Sequence, residues 1–148
     1  MIRAKPSFAI LLVILGCGRQ ASQPAPLTSA DLSVAGISID DDSASVLRVL
    51  GAPTGRDSSI WRYADLQVLF TKGKVTILSI LGPAQQTQRG LRVGDGAARA
   101  LRLYDPCYAD SLLVQVCFNP SDFDARAVIA QLDRERVKRI DVGRIIEP

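Results

Sequence analysis

The pattern of apolar and polar positions occurs twice along this chain. Gly36–Pro53 reads GISIDDDSASVLRVLGAP and Gly90–Cys107 reads GLRVGDGAARALRLYDPC. Laid over each other at one offset without a gap, Ile37, Ile39, Asp41, Leu47, Arg48 and Val49 fall on Leu91, Val93, Asp95, Leu101, Arg102 and Leu103. Each unit has an apolar-x-apolar lead-in, an aspartate suited to an N-cap, a short amphipathic helix and a breaker. In the first unit Asp40 or Asp41 is the expected cap, and Asp42 adds favourable charge in the first turn. That helix runs to about Leu50 with Val46, Leu47, Val49 and Leu50 as its buried stripe; Gly51 and Pro53 end it. The second helix follows Asp95.

Between the two units the period changes to that of strands. After a loop at 54–59 come IWRY, LQVLFT and KVTILSIL, separated by Ala64-Asp65 and Lys72-Gly73. Two short breaks predict a three-stranded antiparallel meander. A two-residue turn at Lys72-Gly73 pairs Phe70 with Val75, Val68 with Ile77 and Leu66 with Ser79. A turn at Ala64-Asp65 sets Tyr63 against Leu66 and Trp61 against Val68. One face then holds Trp61, Tyr63, Val68, Phe70, Val75 and Ile77, and awaits the helix. Trp61 is therefore expected in the core and not at a ligand site. The other face holds Ile60, Arg62, Gln67, Leu69, Thr71, Thr76, Leu78 and Ile80.

The second meander is less clear. Val128–Val142 overlays Leu66–Ile80 without a gap, so 125–133 and 136–143 read as a hairpin preceded by a strand at 112–118. The rival is a helix over 124–134 capped by Ser121 or Asp122, which the Ala, Gln, Leu and Arg content there favours. Arg139 and Asp141 fall on the core face of the hairpin register and are its weak points. Self-similarity at about fifty residues argues for two copies of one supersecondary unit. The fold class expected is α+β: two tandem helix-plus-antiparallel-meander repeats forming one sheet, with helices packed on one face. Repeat one spans 34–83 and repeat two 87–146.

The N-terminus carries an address. Arg3 and Lys5 precede the apolar run Phe8–Leu15, which is far short of the ~20 residues that span a bilayer, so residues 1–16 read as a signal peptide. The junction Ile14-Leu15-Gly16-Cys17 resembles the lipobox of bacterial lipoproteins, in which the cysteine is lipidated and becomes the first mature residue. Ile14 departs mildly from the usual leucine. The resemblance implies membrane attachment through Cys17. Gly18 is not the aspartate that retains such proteins in the inner membrane of enterobacteria, so the expected location is the periplasmic side of the envelope, on the outer membrane in preference to the inner. Residues 17–31 form the anchored, flexible tether, small, polar and proline-containing. Residues 32–148 form a single domain.

Composition then removes options. The formal charge is +3, from 18 basic and 15 acidic residues; losing Arg3 and Lys5 leaves 16 against 15. With no basic stripe and no aromatic platform, nucleic acid is not an expected partner. There is no histidine, which removes the commonest general base and metal ligand. Asp40-Asp41-Asp42 lacks the alternating ligands, central glycine and distal glutamate of a calcium loop. Enzymatic chemistry would need a serine–lysine pair using Lys72, Lys74 or Lys138, or paired carboxylates. Lys72 and Lys74 flank a hairpin glycine as turn residues, Glu135 and Glu147 are the only glutamates, and the aspartates sit mainly at caps and turns. No catalytic residue, metal site or cofactor is assigned, and the chain is not expected to be an enzyme. Cys107 and Cys117 form an even pair in an exported chain and are expected to be bridged, the alternative being two buried thiols. A bridge requires the chain to reverse around 110–112.

The unit of Ile39–Pro53 with Tyr63–Ile80, repeated as Thr87–Tyr104 with Val128–Val142, resembles the SmpA/OmlA-type envelope lipoproteins and the tandem-repeat fold of β-lactamase inhibitor proteins. The resemblance implies helices on one side of an antiparallel sheet whose open face contacts protein. No inhibitory residue of that second family can be matched. The expected function is a lipid-anchored, non-enzymatic protein-interaction module with an unidentified envelope protein as partner. A narrower form is a factor in outer-membrane assembly or envelope maintenance; a hydrolase, or an inhibitor of a periplasmic enzyme, is less favoured. The candidate partner-binding residues are Arg62, Gln67, Leu69, Thr76 and Leu78.

Overall fold

The computed structural model describes residues 23–118 and 126–144. The signal segment, Cys17, the tether up to residue 22, Ser121, Asp122 and the chain beyond Arg144 lie outside the described residues. In chain order the elements are a 3-10 turn (Ser29–Leu32), β1 (Ser33–Val34), β2 (Ile37–Ser38), α1 (Ser43–Leu50), β3 (Gly55–Arg56), β4 (Ile60–Arg62), β5 (Leu66–Thr71), β6 (Lys74–Ile80), α2 (Ala97–Leu103), β7 (Tyr108–Ala109), β8 (Leu113–Cys117), β9 (Arg126–Asp133) and β10 (Arg136–Arg144). β1 and β2 form a small sheet of their own. The other eight strands form one sheet in the order β3-β4-β5-β6-β10-β9-β8-β7. The fold is α+β. The stretch from Arg126 is strand and not helix: β9 pairs with β8 on one side and β10 on the other. Sheet pairing at both edges outweighs a local helix preference of a few tenths of a kcal/mol per residue.

Both long hairpins close through two residues at positive φ, Lys72 (51°) and Gly73 (77°), then Arg134 (48°) and Glu135 (63°). This is the backbone that matches the twist of the flanking strands. Phe70 pairs with Val75 and Trp61 with Val68, as the sequence register requires. Beyond Val75 that register fails. A bulge leaves Thr76 without a partner, so Leu69 pairs with Ile77, Val68 with Leu78 and Leu66 with Ile80. One extra residue exchanges the faces of everything after it. Leu78 and Ile80 are thus fully buried, whereas Ile77 turns outward. The corresponding irregularity between Val137 and Arg139 leaves Lys138 as the extra residue and turns Arg139 and Asp141 away from the core.

The core is built from two cross-strand rows. Trp61, Val68, Leu78, Val142, Val128 and Val116 form one; Leu66, Ile80, Ile140, Ala130 and Val114 form the next. Over them lie Val46 of α1, Ala100 of α2, Tyr104, and Leu27, Leu32, Val34, Ile37 and Leu91 from the irregular segments. At the seam a side chain on Gly143 (φ 150°) would collide with the Thr76 carbonyl, so the bulge and this glycine fit each other.

Three local expectations need correction. Asp42 is the N-cap of α1, its carboxylate accepting from the Ser45 N–H at 2.8 Å. Asp41 instead closes the preceding turn by accepting from the Ser38 N–H, and Asp95 does the same from the Arg92 N–H, both at 2.8 Å. Gly96 stands at the α2 N-cap with no side-chain bond. The α1 stripe is narrower than its sequence suggests: Val46 is buried and Leu50 half-buried, but Leu47 (42% exposed) and Val49 (52%) face water. The tether, finally, does not extend to residue 31. Leu27 and Asp31 are buried, so the packed part of the chain begins before residue 32.

Candidate interaction surface

Side chains alternate across a sheet, so each inward row implies an outward one. On the first half, Ile60, Leu69 and Ile77 make a row across β4, β5 and β6. The matching row on β8, β9 and β10 is Leu113, Gln131 and Arg139. Between them run Arg62, Gln67, Ser79, Asp141, Ile129 and Gln115. Ile60, Leu69, Ile77, Leu113 and Ile129 are half-buried by their neighbours, yet none belongs to the core or packs against it. Among the described residues no element is layered over them. The middle of this face is polar. Asp141 accepts from the Ser79 hydroxyl at 2.5 Å, from Arg139 Nε at 2.8 Å and from Gln131 Nε2 at 3.2 Å. Arg139 also donates to Ser79 Oγ at 3.0 Å.

Of the five candidate partner-binding residues, the sheet brings together three. Arg62 is exposed and pairs with Asp57 at 2.6 Å; Gln67 and Leu69 are half-buried beside it. Thr76 sits in the bulge, only 7% exposed, donating to the Leu69 carbonyl and sharing a hydrogen bond with Thr71. Leu78, expected on the outward face, is instead a fully buried core residue. Ile77, Arg139 and Asp141 take places on this face instead. The sequence carries one usable sign of this: Arg139 and Asp141, two apart and alternating with Ile140 and Val142, are charged side chains that do not belong in a core.

The sheet edges offer less. β3 and β7 have two residues each, preceded by Pro53 and Pro106, too short to template an added strand. At the β7 edge Cys107 and Cys117 form a disulfide with Cα atoms 5.8 Å apart. The reversal it requires is made by Asp110, whose Oδ1 accepts from the N–H groups of Leu112 (2.7 Å) and Leu113 (2.9 Å). Trp61 is a core residue, 3% exposed, with Phe70 at 4.8 Å and the Arg56 guanidinium at 4.5 Å from its ring.

On the helix side lies a cluster that no local sequence pattern marks, because Asp31 and Arg89 are 58 residues apart. Arg89 forms two parallel bonds with Asp31, Nε to Oδ1 and Nη2 to Oδ2, both 2.8 Å. It also donates to the carbonyls of Ala25 (2.6 Å), Pro26 (2.7 Å) and Leu103 (3.2 Å), and its guanidinium lies 5.0 Å from the centre of the Tyr104 ring. Tyr104 donates to Thr87 Oγ1 at 2.7 Å. Burial by itself would raise the Asp31 carboxyl, but the hydrogen bonds from Arg89 and Thr28 hold it below its ordinary value. Burial raises the Tyr104 phenol. These groups are saturated by one another and bind the N-terminal segment to the domain.

Lys72, Lys74 and Lys138 are exposed. Among the described residues no group of three His, Cys, Asp or Glu side chains could hold a metal ion, and no helix is long and apolar enough to cross a membrane. Among the described residues, open depressions lie around Ser29, Ser38, Asp40 and Arg126 and around Gly36, Gln85, Gln88 and Arg92. No protein-family model, curated protein or solved structure matches the chain.

Proposed function

We propose that this chain is a lipid-anchored envelope protein, held through Cys17 on the periplasmic side of the outer membrane, that works as a non-enzymatic protein-interaction module. The observation that carries the reading is the row Ile60, Leu69 and Ile77, half-exposed on a sheet face that no described element covers. Aliphatic side chains so placed are the usual centre of a protein contact, with Arg62 and Gln67 as its polar rim. The fold behind it is read as two tandem copies of one helix-plus-meander unit sharing a sheet. In support, the Asp41–Ser38 and Asp95–Arg92 turns, the two positive-φ hairpins and the two bulges occupy matching positions. The β6–β10 seam places Ser79 opposite Asp141, the residue that matches it in the second copy. A role in outer-membrane assembly or envelope maintenance would use the same face.

The test is a photo-crosslinking amino acid at Leu69, with the same substitution at Lys138 as control. Stoichiometric capture of one envelope protein at position 69 alone, abolished by Ile77→Arg without loss of fold, is the expected result. Equal, diffuse labelling at both positions would defeat the proposal. The anchor has its own test: Cys17→Ser should accumulate as uncleaved precursor, and release of a processed soluble protein would reject lipidation.

A further inference from the structure

The Arg89 cluster fixes where the chain leaves the domain. Ala25 and Pro26 are held by the same guanidinium that bonds the Leu103 carbonyl, at the C-terminal end of α2. From Cys17 to Ala25 the chain reaches at most about 28 Å even when fully extended. A domain of this size is roughly 35 Å across. A lipidated Cys17 therefore keeps the α2 end within less than one domain diameter of the bilayer.

The outer surface at that end suits such a neighbour. α2 carries Arg99 and Arg102 and no acid, Arg92 is exposed just before it, and Leu101 between the arginines is 45% exposed. Asp95 is occupied by Arg99 at 3.1 Å and by the Arg92 N–H. Arg92 Nε is turned to neutral Gln86, and exposed Asp105 is the acid that follows the helix. Arginines around a projecting leucine on an anchored domain match an anionic bilayer surface: the guanidinium groups meet headgroup phosphates while the leucine enters the interface.

We propose that the outer face of α2, with Arg92, Leu101 and Arg102, docks on the anionic lipid surface to which Cys17 is attached. This rests on the lipidation reading. It leaves the row at Leu69 for a protein partner.

The test uses the full lipidated protein in vesicles of zwitterionic lipid with or without 30% anionic lipid, doped with a headgroup-region spin label. A fluorophore is placed at Ala98→Cys on α2 or at Ser58→Cys beside the far sheet edge. In anionic vesicles quenching at 98 should exceed that at 58 about threefold, and added salt or neutral lipid should reduce the excess. Arg92→Gln with Leu101→Ser and Arg102→Gln should bring 98 close to 58; all three residues are exposed, so the unfolding midpoint serves as the check on fold. Equal quenching at both positions in floating vesicles overturns the docking alone, as does an excess that the triple variant leaves intact. An excess seen only when envelope proteins are present assigns the face to a protein instead. Failure to float with vesicles rejects the lipidation reading, and the docking with it.

Discussion

The two halves of the sheet turn and bulge at corresponding places and differ in what they show to solvent. Gly36 and Gly90, at φ 80° and 83°, occupy matching turns. Asp40 bonds to the Val75 carbonyl at 2.8 Å and Gly94 to that of Val137 at 2.7 Å. Where the halves part, they part at side chains. The outward row is Ile60, Leu69, Ile77 in one and Leu113, Gln131, Arg139 in the other. The first helix has an aspartate cap, the second a glycine. Ala35 stands in the first half where Arg89 stands in the second, and only Arg89 holds the N-terminal segment. Positions that close the backbone tolerate few residues, whereas outward positions tolerate many. The first half leaves an aliphatic row half-exposed, and the second holds the N-terminal segment through Arg89.

The comparison can be broken first at the bulge. Leu78→Ala should destabilise by about 3–5 kcal/mol, whereas its neighbour Ile77→Ala should cost about 1 kcal/mol. Urea unfolding of both variants decides, and the reverse order would mean that Thr76 is not the extra residue. Next in size is Arg89→Met, expected to cost about 3 kcal/mol because it strands Asp31, buried, without its partner. Ala35→Met has no such partner to strand and isolates that loss only in part, since Ala35 has φ 53°. The same pair predicts pH dependence. The Asp31 carboxyl is held low when folded, so its contribution is complete above the ordinary carboxylate range and disappears as pH falls through the depressed value. Asp31→Asn should flatten the stability–pH curve below the ordinary range; an unchanged slope would exclude the linkage.

Removing the disulfide, which only the second half has, should cost about 2–3 kcal/mol for so short a loop. Thermal unfolding of Cys107→Ser/Cys117→Ser measures this, and mass spectrometry of non-reduced peptides should recover the two cysteines linked. The smallest effects lie at the caps. Asp42→Ala should lose about 1 kcal/mol, while Gly96→Asp should gain a few tenths by giving α2 the cap it lacks. Equal losses from both substitutions would show that Gly96 is required for its backbone.

Much of this was legible in the sequence, element by element. The helices, the hairpin turns at Lys72-Gly73 and Arg134-Glu135, and the reversal between Cys107 and Cys117 follow from short-range rules about breakers, periods and chain reach. The outward face was read correctly up to Val75 and wrongly beyond it. Val75-Thr76-Ile77-Leu78 contains two adjacent aliphatic residues, and either could be the inward one.

What the sequence determined by itself is therefore local: where the chain turns and which stretches extend or coil. Three things were decided only by tertiary structure. The bulges at Thr76 and Lys138 depend on how β6 and β10 meet, where Gly143 admits the Thr76 carbonyl. The strand state of Arg126–Asp133 depends on neighbours at both its edges. The Asp31–Arg89 pair joins residues far apart in the chain, a polar contact worth forming only once burial has removed water from both. Local rules act through covalent geometry and neighbouring hydrogen bonds, whereas register and buried pairing depend on surfaces that do not exist until the chain has closed on itself.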